Sequence, residues 1–309
     1  MSTPSYAAAV DQAWSGGTGA WTSTAGGHWL EHPLVRRRIH QKAGGRADRD
    51  IYGWFLDLLD ELGVARPVAS ALTLGSGDGR LERGLAPKRF ARRHLGLDLS
   101  AGAVASATAA AAAAGLDQIS YRVADLNAPT GAFGGEAAFD VVLGVSAVHH
   151  VERLEELFAA VERALVPGGI LFLNEYVGPK RFQWSRRQLE CATHLLGLLP
   201  ERYRVVGEGG EIHRQPFAPT AEAVIAADPS ESVRSDEILP LVATRFDILE
   251  RRDLGGTLLH LVLEGIARRF DPANPQDVRW LELLFEAEDA LLASGELTSD
   301  FAVVVARKR

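Results

Sequence analysis

Ala71-Leu72-Thr73-Leu74-Gly75-Ser76-Gly77-Asp78-Gly79-Arg80-Leu81 joins a short apolar run to alternating glycines. A run of this length that ends in turn residues reads as a buried parallel strand. Gly75 and Gly77 suit a tight turn where backbone must come close to a ligand. The helical pattern that follows would aim its first N–H groups back at that ligand. About twenty residues on, His94-Leu95-Gly96-Leu97-Asp98 is a second apolar run ending in an acid, which at a strand tip suits the hydroxyls of a ribose. Loop, spacing and terminal acid together predict an α/β nucleotide-binding fold.

The loop is not a nicotinamide fingerprint, because Arg80 stands where Gly-x-Gly-x-x-Gly needs its third glycine. No Gly-Lys-Ser/Thr follows, so a P-loop is excluded too. The Gly-x-Gly-x-Gly pattern resembles the class I S-adenosylmethionine-dependent methyltransferases, and the resemblance continues in order along the chain. Leu72 to Gly79 is similar to the loop beside the cofactor's methionine part, and Asp98 to the ribose-binding acid. Tyr121-Arg122-Val123-Ala124-Asp125-Leu126 resembles the third strand, whose terminal acid meets the adenine amine. Phe139-Asp140-Val141-Val142-Leu143-Gly144 resembles the fourth strand, and Leu165-Val166-Pro167-Gly168-Gly169 the turn into the fifth. The resemblance implies a Rossmann-like sheet of seven strands, mostly parallel with the last antiparallel. It also implies S-adenosylmethionine held by Gly75, Ser76, Gly77, Asp98, Leu99, Asp125, Leu126 and Gly144. A cofactor-free Rossmann-like domain and a nicotinamide enzyme are the alternatives.

A chain of 309 residues can bury one substantial core and a subdomain. A net charge of −7 argues against an extended nucleic-acid footprint. The single cysteine, Cys191, excludes an internal disulfide and fits a reducing cytoplasm. No apolar run reaches ~18 residues, and no secretory pattern opens the chain, so neither a spanning helix nor export is expected.

Along the chain, residues 1–66 read as an N-terminal arm and helical cap, 67–177 as the cofactor-binding core, 178–240 as a substrate-covering insertion, and 241–309 as the remainder of the core. Trp14 and Trp21 sit in a Gly/Ser/Thr-rich arm and are expected either to close over the substrate or to pin the arm to the surface. His28-Trp29-Leu30-Glu31-His32 fits a zinc pattern, but Pro33 disfavours helix at His32 and argues against it. Helices are expected over Pro33–Ala43, Arg49–Leu62, Ala101–Ala114, Glu152–Leu165, Leu258–Arg269 and Val278–Leu292. The last two strands are expected at Arg245–Leu249 and Asp300–Ala306. The stretch from Gly178 to Leu239 is too long for a crossover and must be a partly helical insertion.

Ligands in such a sheet lie outside the carboxyl ends of the strands. Glu175, just after an apolar strand, is the first candidate for the acceptor's proton. His149 and His150 follow, and since adjacent residues on a continuing strand face opposite ways, one of them is expected in the site, with His150 preferred. Tyr52 lies off the apolar stripe of its helix and could face the cofactor. The insertion interleaves cations and aromatics in an acidic protein. Trp184, Arg187, Tyr203, Phe217 and Arg234 are read from it, with Tyr176 from the stretch just after the fifth strand, as a lining for a small acceptor with an anionic head and an apolar body.

The chain lacks the Asn/Asp-Pro-Pro-Tyr/Phe sequence of enzymes acting on exocyclic amines. A narrower resemblance is to bacterial enzymes that C-methylate geranyl diphosphate, in which a glutamate near the fifth strand removes the proton. A prenyl diphosphate acceptor would imply Mg²⁺. O-methylation of an aromatic acid or glycosylated natural product is the runner-up. A non-catalytic cofactor-binding scaffold is the third reading.

Overall fold

The computed structural model describes residues 27–129, 131–133, 136–206 and 210–309. Trp14 and Trp21 lie outside them. Seven strands form one sheet: β1 (Ala71–Leu74), β2 (His94–Asp98), β3 (Ile119–Val123), β4 (Phe139–Val145), β5 (Leu165–Tyr176), β6 (Phe246–Gly255) and β7 (Phe301–Lys308). Their order is β3-β2-β1-β4-β5-β7-β6. β1 pairs in parallel with both β2 and β4, as its fully buried apolar run predicts. β7 is antiparallel to β5 and to β6, so it is the reversed strand of the sheet. Strand order turns outward on both sides of β1, which places a crevice at the carboxyl ends of β1 and β4.

Side chains alternate across the sheet with a period of two. On β5, Ile170 and Phe172 enter one apolar cluster, while Leu171 and Leu173 enter the other. The first cluster takes residues from the helices Pro33–Gly44, Ile51–Glu61, Arg186–Leu198, Leu259–Leu263 and Pro275–Ala293. The second is covered by Leu154–Ala164 and Ile238–Arg245. Trp29, Trp184 and Leu254 share the first cluster with Val68 and Val141, so cap, insertion and sheet are built on one core. The alanine-rich helix Ala101–Ala113 buries Ala107 and Ala111 and is capped by the Ser100 hydroxyl. Among the described residues no helix is long and apolar enough to cross a membrane.

One expected helix is broken. The pattern from Leu258 to Arg269 yields a five-residue helix, Leu259–Leu263, and then a separate 3₁₀ turn, Ala267–Arg269. Gly265 between them has φ +75°, a left-handed conformation that ends a helix and that periodicity does not register.

The insertion is tied to the core by a buried acid. Asp300 Oδ2 accepts a hydrogen bond from Gln188 Nε2 at 2.8 Å, and the Asp300 carbonyl accepts from Val177 and Gly178. Burial pushes the Asp300 carboxyl up from 3.8 to about 7. The folded state then holds this proton more tightly than the unfolded chain, so Asp300 makes stability fall as pH rises between about 4 and about 7. Asp300→Asn keeps an acceptor for Gln188 and cannot ionise. Its melting temperature relative to wild type is expected to be higher at pH 8 than at pH 5. A pH-independent difference would show that the ionised form carries no such cost.

Candidate functional site

The turn after β1 has the backbone its glycines forecast. Gly75, Gly77 and Gly79 have φ of +65°, +52° and +76°. A Cβ on Gly75 would collide with that of Ala147, so the loop can pass the end of β4 only without a side chain there. Asp98 braces the loop from the neighbouring strand. Its Oδ2 accepts from the Gly77 N–H at 2.8 Å and its Oδ1 from the Ser100 N–H at 2.9 Å.

A cavity of about 550 Å³ runs along this loop. Its walls include Gly75, Ser76, Gly77, Asp98, Leu99, Asp125 and Leu126, seven of the eight positions expected to hold the cofactor. Gly144 is not in the wall: a Cβ there would press on Leu173 and Val148. Asn127, which the sequence reading missed, also lines the cavity. Its Oδ1 accepts from the N–H groups of Glu152 and Arg153. Its own N–H donates to Asp125 Oδ1, so the third-strand acid is fixed through a turn. Gly102, Ala103 and Ser106 also line the cavity.

The far end of the cavity is formed by Ala147, His150, Val151 and Ser230. β4 stops at Val145, Ser146 turns with φ +49°, and Val148–His150 is a 3₁₀ turn. The strand therefore does not continue through the histidines, yet of the two only His150, the preferred one, is in the cavity wall, with His149 buried beside it. Their rings lie 4.3 Å apart, centroid to centroid.

Glu175, on β5 and 1% exposed, sits directly behind them. Its Oε1 accepts from the N–H groups of Ala147 and Val148, both at 3.0 Å. Its Oε2 is 2.7 Å from His149 Nδ1. Facing a carboxylate, Nδ1 carries the hydrogen and the electron pair is on Nε2. A parallel arrangement sets His150. The Ser230 hydroxyl donates to Asp228 Oδ1 at 2.6 Å and so accepts from His150 Nδ1 at 3.0 Å. Glu231 completes the group, with Oε1 at 3.7 Å from His149 Nε2 and 2.8 Å from the Ser232 hydroxyl that donates to it.

Burial by itself lowers the His149 imidazole, but the hydrogen bond and charge of Glu175, aided by Glu231 and Asp228, hold it above its ordinary value. His150 is driven well below, first by burial and then by His149 and Arg181. Burial raises the Glu231 carboxyl against the pull of His149.

The residues expected to line the acceptor site are more scattered, and none of the seven is in the wall of this cavity. Tyr52 rests on Phe172 of β5, and burial pushes its phenol up to about 12. Tyr176 donates to the Pro179 carbonyl and meets Phe182 edge-on, while Trp184 stacks on Phe182. Tyr203 stacks on Phe270 and donates to Asp277, a core contact. Phe217 is 67% exposed. Arg187 pairs with Glu296, and Arg234 with Glu155 and Glu237. In the His28–His32 segment, His32 places Nε2 on the Phe270 carbonyl and Nδ1 on the Leu34 N–H, which leaves that ring no nitrogen for zinc.

Residues 72–173 match the family model described as a methyltransferase domain. This stretch of the chain carries a methyltransferase domain. The matched span of that methyltransferase domain runs from β1 to β5 and contains every position expected to hold the cofactor. Over 126 residues, 40% of this chain, it is 29% identical to the hybrid PKS-NRPS synthetase apdA of Emericella nidulans. The chain spans only 3% of that protein's length. Among solved structures, a phosphoethanolamine N-methyltransferase of Haemonchus contortus superposes with a TM-score of 0.54 at 16% identity, covering 99% of this chain and 60% of that one. The [4+2]-cyclase SpnF superposes with a TM-score of 0.50 at 16% identity, covering 100% and 98%. At such identities these two likenesses speak for the fold and not for the reaction.

Proposed function

We propose that the protein transfers the methyl group of S-adenosylmethionine to an ionisable carbon flanked by carbonyl groups in a small, polyketide-like acceptor. The observation that carries this reading is His150 in the wall at the end of the cofactor cavity, its ring 4.3 Å from that of His149, which Glu175 fixes at 2.7 Å.

The residues present fit the cofactor. The side-chain-free turn at Gly75, the acids at the tips of β2 and β3, and a cavity joining them make a cradle for a nucleoside with an amino-acid tail. When bound, S-adenosylmethionine supplies an electrophilic methyl on a positive sulfur. The protein's own tasks are to align the acceptor, exclude water and deal with the acceptor's proton.

Glu175 is suited to the last task only indirectly. Its oxygens already take two backbone N–H groups and His149 Nδ1, so it acts as a positioning residue. The Nε2 electron pairs of the imidazoles are the basic groups of this end, and an acceptor placed there would give up its proton most readily from an acidic C–H.

The expected diphosphate head group finds less support. Arg187 and Arg234 are engaged with surface carboxylates, and the cavity wall sets Asp78, Asp98 and Asp125 against Arg80, itself paired with Asp78. The partial likeness to a polyketide-building synthetase adds weight to a carbonyl-bearing acceptor.

The test supplies cofactor labelled in the methyl group together with β-ketoacyl thioesters, prenyl diphosphates or phenolic acids. Label is expected on the carbon between the two carbonyls, with matching release of S-adenosylhomocysteine. Label in a prenyl chain or on a phenol oxygen would replace the acceptor assignment. Acceptor conversion without S-adenosylhomocysteine would mean that this fold serves another chemistry, as it does in the cyclase.

A further inference from the structure

We propose that His149, His150 and Glu231 bind a divalent first-row transition-metal ion at the acceptor end of the cavity. One donor atom from each of the three residues lies within 4.8 Å of the others, and His149 and Glu231 are 8% and 6% exposed. Two imidazoles and one carboxylate are a donor set for iron, cobalt, nickel or zinc; Mg²⁺, the ion a diphosphate would have called for, prefers a shell of oxygens.

The surroundings are built as metal sites are. A metal-bound imidazole commonly has its other nitrogen held by a carboxylate. Glu175 does this for His149 and is itself fixed by two backbone N–H groups. His150 is held through Ser230, which is anchored on Asp228. At 3.7 Å, His149 Nε2 and Glu231 Oε1 are too far apart for a hydrogen bond. Two ligands bonded at about 2.1 Å to one ion stand roughly 3–3.5 Å apart, so a shift of a few tenths of an ångström would close the pair on an ion.

His150 and Ser230 belong to the cavity wall, so the ion would border the acceptor. An ion with open positions attracts carbonyl oxygens and favours the ionised form of a dicarbonyl. The inference rests on the proposed reading of this end as the acceptor site and deepens it: the imidazoles would hold the ion, and the acceptor's proton would pass to water at one of the ion's open positions.

The experiment uses the full chain, stripped with a chelator and titrated with Co²⁺ alone, followed by calorimetry and visible absorption. One ion per chain is expected, with the absorption of a nitrogen-ligated site. Glu231→Gln and His149→Gln should each weaken binding at least about tenfold while S-adenosylmethionine affinity, which reports the fold, is kept. Absence of saturable binding to the wild-type chain overturns the inference whatever the variants do. So does binding that neither substitution weakens. Methyl transfer that survives undiminished in ion-free protein would remove the ion's part in the reaction and leave the reaction itself standing. Loss of transfer with the ion present would count against the reaction instead.

Discussion

Glu175→Gln is expected to lower kcat by about 10²- to 10⁴-fold, with S-adenosylmethionine affinity unchanged. The substitution keeps size and one acceptor oxygen, which can still receive the Ala147 and Val148 N–H groups. The new amide turns a donor toward His149 Nδ1, where the carboxylate accepted at 2.7 Å. Donor against donor is unfavourable, so His149 must rotate or move its hydrogen to Nε2. Either change removes the electron pair that faces the acceptor end, for a proton and for an ion alike. The same logic makes a carboxylate-to-amide change behind a catalytic histidine costly in serine proteases. Steady-state kinetics beside calorimetry separate this from a folding defect, because only kcat should move. A variant with wild-type kcat would show that the Glu175–His149 contact is structural.

Asp98→Ala is expected to weaken S-adenosylmethionine binding by about 100-fold. A carboxylate that accepts from ribose hydroxyls contributes about 1.5–3 kcal/mol per bond, and 1.4 kcal/mol is tenfold in affinity. The residue also braces the Gly77 and Ser100 N–H groups, so its loss slackens the glycine turn as well as removing the ribose partner. Asp98→Asn separates the two effects. It keeps one acceptor for the turn and loses the charge, and should fall between wild type and Asp98→Ala. Equal affinity in all three proteins would mean that the ribose lies elsewhere.

The cofactor half of the site could be read from the chain because its signals are local. Gly75, Gly77, Asp98 and Asp125 each sit at the end of a strand whose apolar run marks it, and the turn needs glycine for a reason any sequence shows. The acceptor half could not. Ser230 and Glu231 reach the histidines from about eighty residues away, out of a segment with no periodic pattern. His150 reaches the cavity wall on a 3₁₀ turn that follows a left-handed Ser146, which a serine does not advertise. Arg187 and Arg234 looked like anion-binding groups by composition, but their partners Glu296 and Glu155 are distant in sequence. A charge cannot be assigned to a ligand until its neighbours are known.

A crystal structure of the chain with S-adenosylhomocysteine tests the central claim most directly. The ribose hydroxyls are predicted to meet the Asp98 carboxylate, the adenine to lie by Asp125 and Leu126, and the sulfur to point toward Ala147, His150 and Ser230. A ribose away from Asp98, or a sulfur turned from the histidines, would contradict the account.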